Sequence, residues 1–131
     1  MDKNLILLES TISSILLRMG ATPNLSGYRY LKEAIIITLI KHGKIDSIMK
    51  DLYGAIAENN KVPVQRVERN IRHTVNIIWD IGKSEGIKST LGVSDFGKHE
   101  KPTSGQFIIL FAEKMSREFY YDHEGEWIHL I

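Results

Sequence analysis

The sequence predicts an all-α domain with a helix-turn-helix near its middle, and three observations carry that reading. Four segments repeat apolar residues at spacings of three and four, the period of a helix with one buried side. Glycine or proline stands where these patterns break. The stretch VPVQRVERNIRHTVNIIW, residues 62–79, is aliphatic along one side and carries three arginines along the other. At 131 residues the chain is long enough for one domain with a real core and too short for two ordinary ones. Its 43% apolar and 25% charged residues are those of an ordered globular protein.

The first helix runs from about Asp2 to Met19, with Leu5, Leu8, Ile12, Ile15, Leu16 and Met19 on one stripe and Gly20 as its stop. After the connector TPNLSG, Ser26 is the expected cap of a second helix, YRYLKEAIIITLIKHG, which Gly43 ends. Its run Ile35 to Ile37 is apolar nearly all round, which places it in the middle of the core. From Asp46 the chain reads as a shorter helix, a turn at NNKVP, and a long helix from Pro63 to about residue 81. Proline suits a first helical turn because the amide it lacks has no helical acceptor there. A glycine-dotted stretch follows, with room for a short helix near Ile87 to Leu91; it is the loosest part of the domain. The last helix begins at Thr103 or Ser104 as cap and aligns Phe107, Ile108, Phe111, Met115 and Phe119. Only the ending DHEGEWIHLI resists a helical reading, and residues 120–131 are expected to form an extension, as a hairpin around DHEG or an extended tail, on a helical unit of residues 1–119.

Several function classes fall away. With no cysteine there is no disulfide scaffold, zinc–thiolate site or thiol nucleophile, which fits a reducing cytoplasm. The N-terminal segment carries Asp2, Glu9 and Arg18 and lacks a small-residue cleavage site, so it reads as a core helix rather than a signal. No apolar run approaches the roughly 20 residues that span a bilayer. No phosphate-cradling glycine loop or Ser-His-Asp arrangement is present, and enzymatic activity is not expected. His42, His73, His99, His123 and His129 form no compact ligand pattern outside the tail, where Asp122, His123, Glu124, Glu126 and His129 suffice only for a stray divalent ion. Neither a metal nor a cofactor is expected.

The arithmetic of residues 52–79 is specific. Ile56 and Ala57 supply the tight crossing that a helix-turn-helix needs, and Val62 anchors its turn. Val67, Ile71, Val75 and Ile78 fall within an arc of about 80° at 100° per residue, a narrow inward stripe. Gln65, Arg66, Arg69, Arg72, His73 and Asn76 occupy the opposite half. Arginine donates two parallel hydrogen bonds to guanine, glutamine pairs with adenine, and glutamate accepts from cytosine. Arg66 and Arg69, one turn apart near the helix start, stand where this motif reads bases. Glu68, on the flank, reads cytosine or holds a neighbouring arginine; Glu68 and Arg72 are also an ordinary helix-stabilising pair.

The net charge of +1 hides an asymmetry. Residues 1–60 hold 7 basic and 6 acidic side chains, residues 61–101 hold 8 and 5, and residues 102–131 hold 2 and 5. A polyanion responds to local field, so the basic middle is compatible with DNA.

GYRYLKEAI, RVERNIRHTVNIIW and KPTSGQFI resemble the C-terminal DNA-binding domain of the stage-zero sporulation protein A family, response regulators of endospore-forming bacteria, over roughly residues 9 to 115. The resemblance implies about six helices and a recognition helix that enters the major groove of a short repeated operator element. It puts the base-reading positions on Arg66, Glu68 and Arg69, flanking and phosphate-contacting positions on Gln65, Arg72 and His73, and a further phosphate contact on Lys101. It also implies action as a homodimer on tandem elements. This chain departs from the family pattern at Asn70, where members have a small residue, and at Asn24 and Ser26, where they tend to be basic. Members normally carry a phosphoacceptor receiver domain; this chain starts a few residues before the effector domain, so no receiver is expected within it, whether one was removed or was never present. The competing class is a protein-interaction module that contacts the RNA polymerase sigma subunit or a full-length regulator without binding DNA itself, an option the acidic tail favours.

Overall fold

In the computed structural model, residues 2–91 and 101–130 are described, with the backbone alone for 82–89. Among them lie five α-helices and one antiparallel hairpin: α1 (Lys3–Arg18), α2 (Tyr28–Ile40), α3 (Gly54–Asn60), α4 (Val64–Leu91), α5 (Ser104–Ser116), β1 (Phe119–Tyr121) and β2 (Trp127–His129). A π-helical turn, Ile48–Tyr53, runs straight into α3. The all-helical expectation with a short terminal hairpin is thus met.

The helix ends follow from their sequences, with two corrections. Asp2 caps α1 by accepting from the Asn4 and Leu5 amides, and Gly20, at φ +98°, takes the left-handed position after it while Ala21 N–H closes on the Leu16 carbonyl. At the end of α2 the first left-handed residue is His42, φ 53°, with Gly43 following it into positive φ and closing on the Thr38 carbonyl. Ser26 does not cap α2; Gly27 holds that position, without a side-chain bond, because the chain there lies directly against α4. Thr103 caps α5 in a reciprocal box with Gln106.

The long helix is the larger correction: α4 does not stop near residue 81 but continues to Leu91, absorbing the short helix expected at 87–91. Gly82 and Gly86 suggested a break because an interior glycine costs about 1 kcal/mol relative to alanine. Leu91 is buried in the core and anchors the far end of the helix. The looseness expected of residues 92–100 lies outside the described residues.

α2 sits at the centre, packing on α1, α3, α4, α5 and β1. Leu31, Ala34 and Ile35 are fully buried, while Ile36 and Ile37 are half-buried at its rim. Leu8, Ile12 and Leu16 of α1 and Phe107 and Phe111 of α5 complete the core, each contributing roughly 1.5–3 kcal/mol by its burial. Phe119 is buried as expected, but from β1 rather than from the last turn of α5.

The hairpin registers Phe119 with His129, Tyr120 with Ile128 and Tyr121 with Trp127. Asp122 closes its turn by accepting from the Glu124 and Glu126 amides, and Gly125 takes φ +81°. Period-two alternation buries Phe119 and Trp127 and exposes Tyr120 and Ile128. The hairpin docks on α1, α2 and α5, fastened to α1 where Asn4 Nδ2 donates to the Trp127 carbonyl at 2.9 Å.

Candidate nucleic-acid interface

α3, the turn after it and α4 form the helix-turn-helix. Asn60 ends α3, Lys61 turns left-handed at φ 55°, ψ 48°, and Val62 N–H donates to the Ala57 carbonyl at 3.0 Å, the backbone closure of a helix end. Pro63 then opens α4, its carbonyl accepting from the Arg66 amide at 3.0 Å. A lysine in this conformation, where glycine is usual, costs roughly 1–2 kcal/mol. The surrounding packing carries that cost: Ile56 and Ala57 of α3 and Val67 and Ile71 of α4 are all buried in one cluster.

Two tertiary contacts aim the motif, and neither has a signature in the local sequence. Asn60 Nδ2 donates to the Ile56 carbonyl at 2.8 Å and to both Glu33 oxygens at 3.2 and 2.9 Å, and its Oδ1 accepts from Arg29 Nη2 at 3.0 Å. The end of α3 is thereby tied to two residues of α2. On the other side, Gly27 meets α4 so closely that a Cβ there would lie 2.1 Å from the Asn70 carbonyl oxygen and 2.4 Å from Thr74 Oγ1. Thr74, buried, donates back to that same carbonyl at 3.0 Å.

On α4 the two faces separate as the spacing predicts. Val67, Ile71, Val75 and Ile78 are at most 1% exposed. Gln65, Arg66, Arg69, Arg72 and His73 are exposed, with the terminal hairpin in place against α1, α2 and α5. Asn76 is half-buried, and so is Glu68, whose Oε1 lies 2.8 Å from Arg72 Nη1. Of the two roles open to Glu68, the structure contains the arginine-holding geometry.

Lys101, distant in sequence, lines the same cleft as this pair. A cleft of about 410 Å³ opens between α4 and the start of α5, and Glu68, Arg72, Asn76, Lys101 and Ser104 are among its lining residues. The candidate residues thus form two groups: Gln65, Arg66, Arg69 and His73 on the open ridge, and Glu68, Arg72 and Lys101 around the cleft. A second cavity, about 330 Å³ between α2, α5 and β1, has an apolar lining that includes Leu39, Ile109 and Phe119, and none of the candidate residues borders it.

Sequence reasoning passed over one cleft residue. Tyr53, in the π-helical turn, is 2% exposed, and among the described residues its hydroxyl, although beside Ser104, makes no well-formed hydrogen bond. Burial pushes the phenol up to about 12; Ser104 beside it pulls the other way, and the Glu68 carboxylate adds to the rise. An aromatic at helical spacing gives no hint that its polar end is left unpaired. Among the described residues no cluster of three or more histidines and carboxylates is placed to hold a metal ion, and no helix is long and apolar enough to cross a membrane.

A helix-turn-helix with an arginine-rich outward ridge, tied to a helical body on both flanks, is an arrangement for DNA. A family model described as sporulation initiation factor Spo0A C terminal matches residues 12–115, from the middle of α1 to the last turn of α5, and contains every candidate residue. That family is a DNA-binding regulatory domain and not an enzyme family. The chain belongs to the family of sporulation initiation factor Spo0A C-terminal domains, the DNA-binding effector portion of a sporulation regulator.

Proposed function

We propose that this chain is a sequence-specific transcriptional regulator that reads the major groove of an operator with the N-terminal half of α4. Arg66 and Arg69 donate to base edges, and Glu68 accepts from one. Gln65, Arg72 and His73 contact the flanks and the phosphates, and Lys101 adds a phosphate contact from the start of α5. Residues 1–119 act as the DNA-binding unit in the cytoplasm, with residues 120–131 as an extension docked on it. Two copies on tandem elements bind as a homodimer. No cofactor enters this reading.

One observation carries it: the outward arginines are exposed on a helix whose opposite stripe is at most 1% exposed, so α4 is held rigidly by its core while its cationic side stays open. Such a ridge fits a groove about 12 Å wide. The chemistry divides accordingly. Planar guanidinium groups distinguish bases, whereas point contacts to phosphate set register and supply salt-dependent affinity.

The test is a fluorescence anisotropy titration of the chain with a duplex selected from a random pool, beside a scrambled duplex, across a range of salt. Arg69→Ala is expected to lose about 1–3 kcal/mol of discrimination at one base pair. Equal affinity of wild type and Arg69→Ala for both duplexes would sink the proposal. The second reading, a module contacting the RNA polymerase sigma subunit or a full-length regulator, is favoured by the exposed Glu124 and Glu126 at the hairpin turn, which repel phosphate. It predicts affinity for such a protein with Arg66, Arg69 and Arg72 all replaced.

A further inference from the structure

Arg29 and Glu33 stand four residues apart on α2, the spacing at which opposite charges on a helix pair directly. They form no ion pair, because the side chain of Asn60, the last residue of α3, stands between them. The Asn60 amide nitrogen donates to both Glu33 oxygens and to the Ile56 carbonyl, which leaves its oxygen to accept from Arg29 Nη2 at 3.0 Å. Only one orientation of the amide satisfies these contacts. The exposed guanidinium is therefore held at the end of α3, off the neighbouring carboxylate, with donors to spare.

Two fixed points locate this cation against the recognition helix. Asn60 leads through Lys61, Val62 and Pro63 into the first turn of α4, and Gly27, one turn-edge before Arg29 on the same strand of chain, abuts Asn70 and Thr74. At 100° per residue, Asn70 and Thr74 lie about 160° round α4 from Glu68 and Arg72. Glu68 and Arg72 border the cleft that Lys101 also lines, so Arg29 flanks the arginine ridge on the side away from Lys101. Lys61, exposed, stands in the turn beside it. A helix in the major groove has a phosphate backbone on each side of it, in a groove about 12 Å wide.

We propose that Arg29 binds a phosphate of the operator backbone on this second flank, and that Asn60 is its positioning residue, keeping the guanidinium off Glu33. The proposal rests on the reading of α4 as the recognition helix and goes beyond it, because α2 carries no DNA contact in that reading. With Lys101 on one wall of the groove and Arg29 on the other, α4 is held against rolling about its own axis. That roll decides which base edges Arg66 and Arg69 meet.

The experiment uses the full chain in anisotropy titrations across salt, on the selected and scrambled duplexes and on selected duplexes carrying one neutral methylphosphonate at successive backbone positions. Arg29→Ala is expected to weaken binding to both unmodified duplexes about tenfold, as loss of a charge-assisted hydrogen bond does, and to make the salt slope shallower by about one counterion. Discrimination persists, because a phosphate contact carries no sequence information. At one backbone position the methylphosphonate costs wild type a similar factor and Arg29→Ala almost nothing, and that position lies across the groove from the one that couples to Lys101→Ala. Asn60→Ala keeps the charge of Arg29 but lets Glu33 capture it, so most of the same factor is lost, and adding Glu33→Gln restores it. A helix end merely loosened by Asn60→Ala gains nothing from that second substitution. If Arg29→Ala binds both duplexes as wild type does while Arg69→Ala loses discrimination, the Arg29 contact is overturned and the reading of α4 stands. If wild type discriminates no duplex at all, both are overturned. A loss in Arg29→Ala with no coupled backbone position also overturns the contact, and a loss in Asn60→Ala that Glu33→Gln leaves unrescued overturns the role of Asn60.

Discussion

Gly27 and Asn70 touch backbone to backbone: the Cβ of any other residue at 27 would fall 2.1 Å from the Asn70 carbonyl oxygen. No side-chain rotation relieves that overlap, because the obstacle is the main chain of α4. Gly27→Ala is therefore expected to push α2 off α4 at a cost of at least the roughly 1–3 kcal/mol typical of overpacking. The shift appears as a lower midpoint in urea unfolding at unchanged slope. Thr74→Ala, which removes the neighbouring hydroxyl but not the carbonyl, is expected not to rescue it. Rescue by Thr74→Ala would show that the hydroxyl rather than the backbone sets the spacing.

The same contact shows what a single sequence makes legible. The inward stripe Val67, Ile71, Val75, Ile78 and the outward arginines follow from a local period, and the structure separates them as the period requires. Gly27 against Asn70, and Asn60 against Arg29 and Glu33, join residues far apart in the chain, where no local period reports contact. Tyr53 was hidden for a different reason. Its spacing announces burial, but the state of its hydroxyl depends on what α5 brings opposite it. The end of α4 was misread because Gly82 and Gly86 carry a local cost that the longer helix overrides, and Ser26 because proximity to α4, not capping, dictates the start of α2.

The phenol of Tyr53, raised to about 12 from an unfolded value near 10, makes stability depend on alkaline pH. A raised value means that the folded state holds the proton more tightly. The stabilisation is complete below about pH 10 and is lost as pH rises through 10 towards 12, to an order of about 2–3 kcal/mol. Urea midpoints measured from pH 8 to 11.5 are expected to fall more steeply for wild type than for Tyr53→Phe, with the two curves parallel below pH 9. Parallel curves throughout would show that the hydroxyl is not buried in the folded protein.

The terminal hairpin stabilises the domain through two residues and makes its main contacts with α1, α2 and α5. Phe119 and Trp127 are 2% and 6% exposed, so truncating either to alanine is expected to cost about 3–5 kcal/mol. Tyr120, 46% exposed and facing His42 with ring centroids 5.0 Å apart, is expected to cost about 1 kcal/mol at most. Because the hairpin docks on α1, α2 and α5, DNA affinity per folded molecule is expected to be unchanged in all three variants. A hairpin variant that keeps full stability yet binds DNA differently would place these residues at the interface.

Glu68 and Arg72 form an ion pair whose value lies in what it withholds. With Arg72 56% and Glu68 32% exposed, water and salt screen the pair, and breaking it is expected to change stability by no more than about 0.5 kcal/mol. Under the proposed reading the consequence on DNA is larger, because the pair occupies a cation next to the cleft and the proposed base-reading acceptor at once. Glu68→Gln frees Arg72 and removes a charge that repels phosphate, so affinity for scrambled duplex is expected to rise and its salt dependence to steepen by about one counterion. If Glu68 accepts from cytosine as proposed, discrimination at one base pair also falls in the same variant, since the neutral amide oxygen of glutamine is a weaker acceptor than a carboxylate. Arg72→Ala, by contrast, weakens every duplex alike and makes the slope shallower by about one. Anisotropy titrations across salt on selected and scrambled duplexes separate the two effects. An equal change on both duplexes in Glu68→Gln would mean that Glu68 acts only by holding Arg72 and reads no base.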